Sequence, residues 1–239
     1  MPVPAIDILL AKLGETLYLP EFLHSPGDVA PAVEATGRDL HELVMGTDPS
    51  LGIVPFGVIT DGPDGKLANV RGTQMILGSF DEWLADFRAW LVACRLCAGA
   101  RWEKGFMDVS DSLYVGTGTP LARYMIENGV NAIEGHSLGG PVATNIGAEA
   151  GVNLLVIIES PNPGDAAFKA YVNSRIKTIR SYWNPRDKIG QVPLNIAGFV
   201  SVTDTKILLD PNSVTPPVAD SLWENHNLTN CRRMMEARE

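Results

Sequence analysis

Residues 130–140 read VNAIEGHSLGG, and this stretch decides the fold. A short apolar strand leads directly into the pentapeptide Gly135-His136-Ser137-Leu138-Gly139, and a run of small residues follows at helical spacing to about Glu149. A strand, a tight turn and a helix form the setting of a nucleophile elbow, in which a serine sits on a strained turn between glycines. The sequence therefore predicts that Ser137 is a nucleophile. The alternative is a glycine-rich turn without chemistry.

The pattern of apolar runs around this stretch alternates between strand and helix. Strands are predicted at residues 89–94, 130–134, 152–158 and 176–182, and helices at residues 119–128, 139–149 and 166–174. Such alternation is typical of a mostly parallel sheet with helices on both faces. We therefore expect an α/β fold.

Residues before this alternation follow two other patterns. Residues 53–60 and 67–71 are apolar runs joined by the turn formers DGPDGK, which predicts a β-hairpin. Residues 1–50 are predicted to be a helical extension with two helices. The first ends at Gly14, and the second runs from a cap at Asp28 to Gly46. We find no linker, and we expect residues 1–239 to form one domain.

Composition and charge exclude several functions. The 239 residues carry a net charge of −9 without a cluster of Lys or Arg, which argues against nucleic-acid binding. The 3 cysteines are too few for a disulfide framework, and Cys94 and Cys97 lack the two further ligands of a zinc site. We therefore expect no metal and no cofactor. We also expect no signal peptide and no membrane-spanning segment, because residues 1–15 lack a basic region and no apolar stretch approaches about 18 residues. We expect a cytoplasmic protein, with secretion of a mature form as the alternative.

The order of residues along the chain selects the base. In hydrolases with this elbow, the acid and the histidine follow the serine. His24 and His41 precede Ser137, and His136 lies inside the elbow, so His226 is the remaining histidine.

The acid is less restricted, because several aspartates lie between Ser137 and His226. Asp187 is the first choice, since it follows a predicted strand and the carboxyl ends of parallel strands hold active sites. Asp210 and Asp204 are the next candidates, ahead of Asp165 and Asp220.

Beyond these residues, the chain resembles the class 3 lipases, a group with the α/β-hydrolase fold that includes fungal triacylglycerol lipases and some feruloyl esterases. The resemblance covers residues 53–230 and is carried by motifs in the family's order: VRGT at 70–73, DEWLAD at 81–86, KGF at 104–106, GHSLGG at 135–140, SPNPGD at 160–165, Asp187, and HNL at 226–228. Glu159 departs from this pattern, since the family usually has glycine at its position, and Lys104 replaces the usual histidine.

This resemblance implies a serine carboxylester hydrolase that uses Ser137 as nucleophile, Asp187 as acid and His226 as base. It also implies that Thr73 and the backbone N–H of Leu138 form the oxyanion hole. The expected partner is an ester or lipid substrate, and the oligomeric state stays open. An acyltransferase and a non-catalytic scaffold are the alternatives.

Residues 74–87 occupy the family's lid position and carry apolar side chains at helical spacing. As a lid, they would cover the site in water and contact a lipid interface transiently when open. The alternative is an amphipathic helix packed permanently on the core.

Overall fold

The structure is a computed structural model that describes residues 2–19, 29–48, 52–72, 91–188 and 198–238. Its helices are α1 (Ala5–Thr16), α2 (Ala30–Glu34), α3 (Lys104–Ser112), α4 (Leu121–Glu127), α5 (Gly139–Ala150), α6 (Ala166–Arg175), α7 (Leu222–His226) and α8 (Leu228–Glu236). Its strands are β1 (Asp39–Asp48), β2 (Gly52–Asp61), β3 (Leu67–Val70), β4 (Leu91–Ala93), β5 (Arg101–Glu103), β6 (Tyr114–Val115), β7 (Thr119–Pro120), β8 (Ala132–His136), β9 (Leu154–Ile158), β10 (Thr178–Trp183) and β11 (Lys206–Leu208).

Nine of these strands form one sheet in the order β11-β10-β9-β8-β3-β2-β1-β6-β7. Strands β3, β8, β9, β10 and β11 pair in parallel, whereas β2, β1, β6 and β7 continue the sheet in antiparallel pairs. The predicted hairpin is confirmed, because β2 and β3 pair antiparallel across the turn that begins after Asp61. The carboxyl ends of β8, β9 and β10 therefore lie side by side at one edge of the sheet.

Helices cover both faces of the sheet, as predicted. Strand β9 shows this most simply, because Leu155 and Ile157 belong to one apolar cluster and Val156 and Ile158 to another. Helix α5 packs on the first face, while α1 and α8 pack against each other over the second. Side chains that alternate between two buried cores explain why the strand reads as a continuous apolar run.

The first helix is longer than predicted and is part of the packed fold rather than an extension. It continues past Gly14 to Thr16 and packs against β3, β8 and α8. A Cβ at Gly14 would lie 2.9 Å from Glu134 Oε2 of β8, so the glycine permits close approach to the sheet rather than ending the helix.

The second helix predicted in residues 1–50 is wrong over most of its length. Helix α2 is short, and the residues that follow it form β1, which pairs with β2. Two register shifts interrupt this pairing, between Leu40 and Glu42 and between Val44 and Met45. Because a bulge breaks the two-residue alternation of a strand, Leu40, Leu43 and Val44 imitate the spacing of a helix. The described part of residues 1–50 is therefore not a helical extension.

The strand predicted at 89–94 is also placed differently. Residues Leu91–Ala93 form β4, which pairs antiparallel with β5 in a separate two-stranded sheet and is only partly buried. The α/β alternation of the main sheet therefore begins with β3, which pairs in parallel with β8. Within the described ranges, no helix combines the length and the apolar character needed to cross a membrane.

Candidate active site

Ser137 occupies the turn between β8 and α5 with a φ of 56°, in the left-handed region that non-glycine residues rarely adopt. Its N–H donates to the carbonyl oxygen of Ile158 at 2.9 Å, and its carbonyl oxygen accepts from the N–H of Gly140 at 2.9 Å. These bonds fix the strained turn between the end of a parallel strand and the first turn of a helix.

The two glycines of the pentapeptide are required by space. A Cβ on Gly135 would lie 2.1 Å from the carbonyl oxygen of Gly139. A Cβ on Gly139 would lie 2.5 Å from the carbonyl oxygen of Val70. Both distances are far below van der Waals contact, so helix α5 reaches the sheet only because these positions lack side chains.

The structure brings Ser137, His226 and Asp187 together at the carboxyl edge of the sheet. Ring atom Nε2 of His226 lies 2.7 Å from Ser137 Oγ, and Nδ1 lies 2.7 Å from Asp187 Oδ2. The side chain of Asp187 is fully buried and that of His226 nearly so, whereas Ser137 is partly exposed. An ionised carboxylate can only accept, so Nδ1 carries the proton and the free Nε2 accepts from the Ser137 hydroxyl.

Two buried asparagines connect the loop that carries Asp187 to the segment that carries His226. Asn184 follows β10, and its carbonyl oxygen accepts from the N–H of Asp187 at 2.9 Å. Its Nδ2 donates to Oδ1 of Asn225 at 2.8 Å. Since Asn225 directly precedes His226, this pair sets the distance between the acid and the ring.

His136 supports His226 from another side. Its Nε2 lies 2.8 Å from the carbonyl oxygen of His226, which can only accept, so Nε2 carries the proton. Nδ1 then accepts from the Tyr18 hydroxyl at 2.9 Å. Burial, with a smaller contribution from His226, lowers the pKa of His136 to about 3, which keeps this ring neutral.

The N–H of Leu138 lies at the start of α5, where backbone donors have no partner within the helix. The positive end of the helix dipole favours negative charge at the same place. The N–H of Leu138 is therefore a backbone donor directly beside Ser137. Thr73, the other residue expected to form the hole, lies outside the described residues, as do residues 74–87.

Together these groups can perform acyl transfer. A serine hydroxyl hydrogen-bonded to a neutral imidazole can attack a carbonyl carbon, and a buried carboxylate can stabilise the imidazolium that forms.

Comparison with known families agrees with this chemistry. The family model described as lipase (class 3) matches residues 67–196, more than half of the chain. The chain belongs to the class 3 lipase family. It is therefore a serine carboxylic-ester hydrolase, as predicted from the resemblance. A search of curated proteins found no match.

Solved structures similar to this class 3 lipase share its fold. A Rhizomucor miehei lipase in a propeptide complex has 19% identity and a TM-score of 0.70, with 100% of this chain and 81% of that chain covered. A triacylglycerol lipase whose catalytic centre is described as a serine protease triad has 19% identity and a TM-score of 0.69, with 92% and 91% covered. A lipase from Rhizopus microsporus var. chinensis has 19% identity and a TM-score of 0.57, with 83% and 73% covered. These likenesses show the α/β-hydrolase fold.

The other candidates from the sequence lie elsewhere in this lipase. Asp204 is paired with Lys169 at the surface, Asp210 is exposed and accepts from the N–H of Asn212, and Asp165 caps α6. Asp220 and His41 are exposed, and His24 lies outside the described residues.

Cys94 and Cys231 are buried and Cys97 is half-buried. Across the described ranges, no three His, Cys, Asp or Glu side chains cluster as metal ligands would.

Sequence reasoning missed Tyr18, Asn184 and Asn225, because each acts through a contact with a residue far away in the chain. It noted Glu159 only as a departure from the family pattern. This residue is fully buried beside the site, and its φ of 49° is the other positive value recorded for a non-glycine residue within the described ranges. Its strained backbone conformation at the end of a strand indicates a functional residue, but this strain is visible only in the structure.

Proposed function

We propose that Ser137 is the nucleophile, His226 the general base and Asp187 the acid of a lipase that cleaves lipid esters. The observation that carries this assignment is the continuous chain of two 2.7 Å hydrogen bonds from Asp187 through His226 to Ser137. In this arrangement His226 is already in the tautomer that removes a proton from the serine.

The reaction proceeds in two halves. Ser137 Oγ attacks the ester carbonyl while its proton moves to Nε2 of His226, and the N–H of Leu138, with Thr73, stabilises the oxyanion. The imidazolium then protonates the leaving alcohol, which leaves an acyl-enzyme on Ser137. Water attacks this ester with His226 again as base, and the carboxylic acid is released as Ser137 regains its proton.

The lipid character of the substrate is supported by two observations. Trp223 lies one turn before His226 in α7 with 48% of its surface exposed, so a large apolar side chain stands at the surface near the base. One of the similar structures is described as a triacylglycerol lipase. An exposed aromatic residue beside a hydrolytic site suits contact with an acyl chain or a lipid surface.

The arrangement of the chain ends supports the proposal that residues 1–239 form one domain. Helices α1 and α8 pack against each other over the same face of the sheet. Residues near both ends of the chain therefore contribute to one apolar cluster.

Hydrolysis of p-nitrophenyl esters of increasing acyl length, together with emulsified triacylglycerol, tests the proposal. We expect turnover by the unaltered chain and loss of at least about 10³-fold in Ser137→Ala. The matched control is Ser174→Ala, because Ser174 lies on the exposed side of α6 and its hydroxyl donates to the carbonyl oxygen of Tyr171 in the same helix. An unchanged rate in Ser137→Ala would refute the assignment.

The same assay separates the alternatives. An acyltransferase would pass the acyl group to an added alcohol in preference to water, and a scaffold would show no turnover with any ester.

A further inference from the structure

Glu159 is the residue that directly follows β9, next to the strand that ends at Ser137. Its side chain is fully buried and its φ is 49°, a conformation that is unfavourable for any residue with a Cβ. Its N–H donates to the carbonyl oxygen of Tyr182 at 3.0 Å, which continues the pairing of β9 with β10. The carboxyl group is thereby held at the edge of the sheet where Asp187 lies.

The two oxygens of this carboxyl group have different partners. Oε1 accepts from the N–H of Asn184 at 2.5 Å, and the Cys231 thiol lies 3.8 Å from the same oxygen. Oε2 is buried and receives no hydrogen bond from a donor in the described ranges. The carboxyl group of Asp187 lies close enough to raise the pKa of Glu159 both by its charge and by hydrogen bonding between the two side chains. Two carboxyl groups can share a hydrogen bond only if one of them carries a proton.

The surroundings place that proton on Glu159. Burial and the adjacent Asp187 both raise the pKa of Glu159 well above its ordinary value. Lys206 of β11 acts in the opposite direction with a smaller effect, and Cys231 of α8 is a neutral thiol because burial raises its pKa. His226 holds Oδ2 of Asp187 through Nδ1–H. Asp187 therefore keeps its charge, while Oε2 of Glu159 is the oxygen free to carry hydrogen.

We propose that Glu159 is a positioning residue of the hydrolase, a neutral carboxylic acid whose Oε2–H donates a hydrogen bond to the Asp187 carboxylate and fixes it for His226. This inference rests on the proposed triad. Asp187 would then be held from two sides, by the acid hydrogen of Glu159 and by the N–H of His226.

The pair of Glu159 and Asp187 should make the rate of hydrolysis depend on pH. When Glu159 loses its proton at alkaline pH, the donor disappears and a second negative charge faces Asp187 in a buried site. The two carboxylates repel each other, so Asp187 no longer orients the ring. The rate should therefore fall on the alkaline side as Glu159 ionises.

The experiment measures kcat/KM for a soluble short-chain ester by titration of released acid between about pH 5 and 10. Glu159→Gln keeps a neutral N–H donor toward Asp187 and an oxygen for Asn184, but it cannot ionise. We expect it to stay within about tenfold of the unaltered enzyme at neutral pH and to lose the alkaline decline. Glu159→Gly suits the backbone conformation but has no donor, and we expect kcat/KM to fall about 10- to 100-fold.

The matched control is Glu134→Gln. Glu134 is also a buried glutamate on the sheet, but it is hydrogen-bonded to Asn69 rather than to Asp187. Its replacement should leave the pH profile of hydrolysis unchanged. If the profiles of Glu159→Gln and Glu159→Gly both equal that of the unaltered enzyme, Glu159 has only a structural role and the inference is wrong.

A second measurement does not depend on turnover. The infrared difference spectrum of the unaltered chain minus Glu159→Gln at neutral pH should contain the C=O stretch of a protonated carboxylic acid, and this band should vanish at alkaline pH. Absence of the band would overturn the inference even if Glu159→Gly fails to fold. Failure of the proposed triad would appear separately, as an unchanged rate in Ser137→Ala.

Discussion

Strands β8 and β9 are neighbours in the parallel sheet, and each is followed at its carboxyl end by a non-glycine residue in the left-handed region. Ser137 has a φ of 56° and Glu159 a φ of 49°. Glycines surround Ser137 and make room for the helix that follows, whereas Glu159 leads into a loop and its buried carboxyl group accepts from the N–H of Asn184. One strained position thus leaves a hydroxyl partly exposed, and the other buries a carboxyl group.

The comparison teaches that strain alone marks a functional position without saying which function it serves. A residue with a Cβ in this conformation makes the fold about 1–3 kcal/mol less stable than glycine would at the same position. A benefit other than stability must therefore explain why the residue is there. The proposed roles supply a reason at both positions, namely attack on the substrate at Ser137 and the proposed hydrogen bond to Asp187 at Glu159.

Replacing Ser137, the proposed nucleophile, by glycine should separate the effect of backbone strain on stability from the effect of the hydroxyl on activity. In Ser137→Gly we expect ester hydrolysis to fall by about 10⁴-fold or more, because no hydroxyl remains. We expect the free energy of unfolding to rise by about 1 kcal/mol, because glycine relieves the backbone strain. Urea unfolding and ester hydrolysis measure the two effects.

The control for this change is Ser174→Gly, which replaces a serine in α6. Glycine in a helix lowers stability by about 0.5–1 kcal/mol, and the activity should not change. If Ser137→Gly also proved less stable, the turn would not be strained as the φ value indicates.

Removing the charge of Asp187, the proposed acid, should have the next largest effect on activity. In Asp187→Asn we expect kcat to fall by about 10⁴-fold, because the amide holds the wrong tautomer of His226. Asp204→Asn and Asp210→Asn should stay near the unaltered rate, since both residues are exposed. A severe loss in Asp210→Asn with activity retained in Asp187→Asn would move the acid to another loop.

Glu134 has a third buried carboxyl group, and it can be compared with those of Asp187 and Glu159 because it lies away from the proposed triad. Burial raises the pKa of Glu134 from 4.5 to about 8, against a smaller effect of Asn69. Between these pH values the unfolded chain loses this proton while the folded chain keeps it, so the stability that the protonated carboxyl contributes is lost as the pH rises.

Glu134→Gln should therefore stabilise the protein increasingly from pH 5 to pH 8, by on the order of a few kcal/mol at the upper end. Urea unfolding of both proteins at the two pH values measures the difference. A difference that does not change with pH would show that Glu134 ionises in the folded state as it does in the unfolded state.

A smaller effect on activity than that of Asp187→Asn is expected at Tyr18. Tyr18→Phe leaves the buried Nδ1 of His136 without a donor, which should lower the free energy of unfolding by about 1–3 kcal/mol. The rate should fall by less than about tenfold, because His136 touches the backbone of His226 rather than its ring nitrogens. A loss of more than about 100-fold would make this network part of the reaction.

The same comparison shows what the sequence could reveal. Ser137 was predictable because its glycines are local and the apolar strand and helix around it have clear periods. His226 could be chosen as the candidate base because it follows Ser137 in the chain, whereas His24 and His41 precede it. Strand β1 was misread because its bulges change the spacing of Leu40, Leu43 and Val44.

The support of the triad could not be predicted in this way. The hydrogen bonds of Tyr18 to His136 and of Asn184 to Asn225 join residues that are distant in the chain, and neither pair has a local pattern. Glu159 appeared in the sequence as a single departure from a family motif. Its burial and its contact with Asp187 are properties of the folded sheet.

The central claim is that Ser137 is a nucleophile activated by His226 and Asp187, and covalent labelling tests it most directly. The protein is treated with a fluorophosphonate, digested, and mapped by mass spectrometry, and the labelling rate is measured also in His226→Ala and Asp187→Asn. We predict a single adduct on Ser137 that forms far more slowly in both variants. An adduct on another residue, or equally rapid labelling of Ser137 in His226→Ala, would contradict the account.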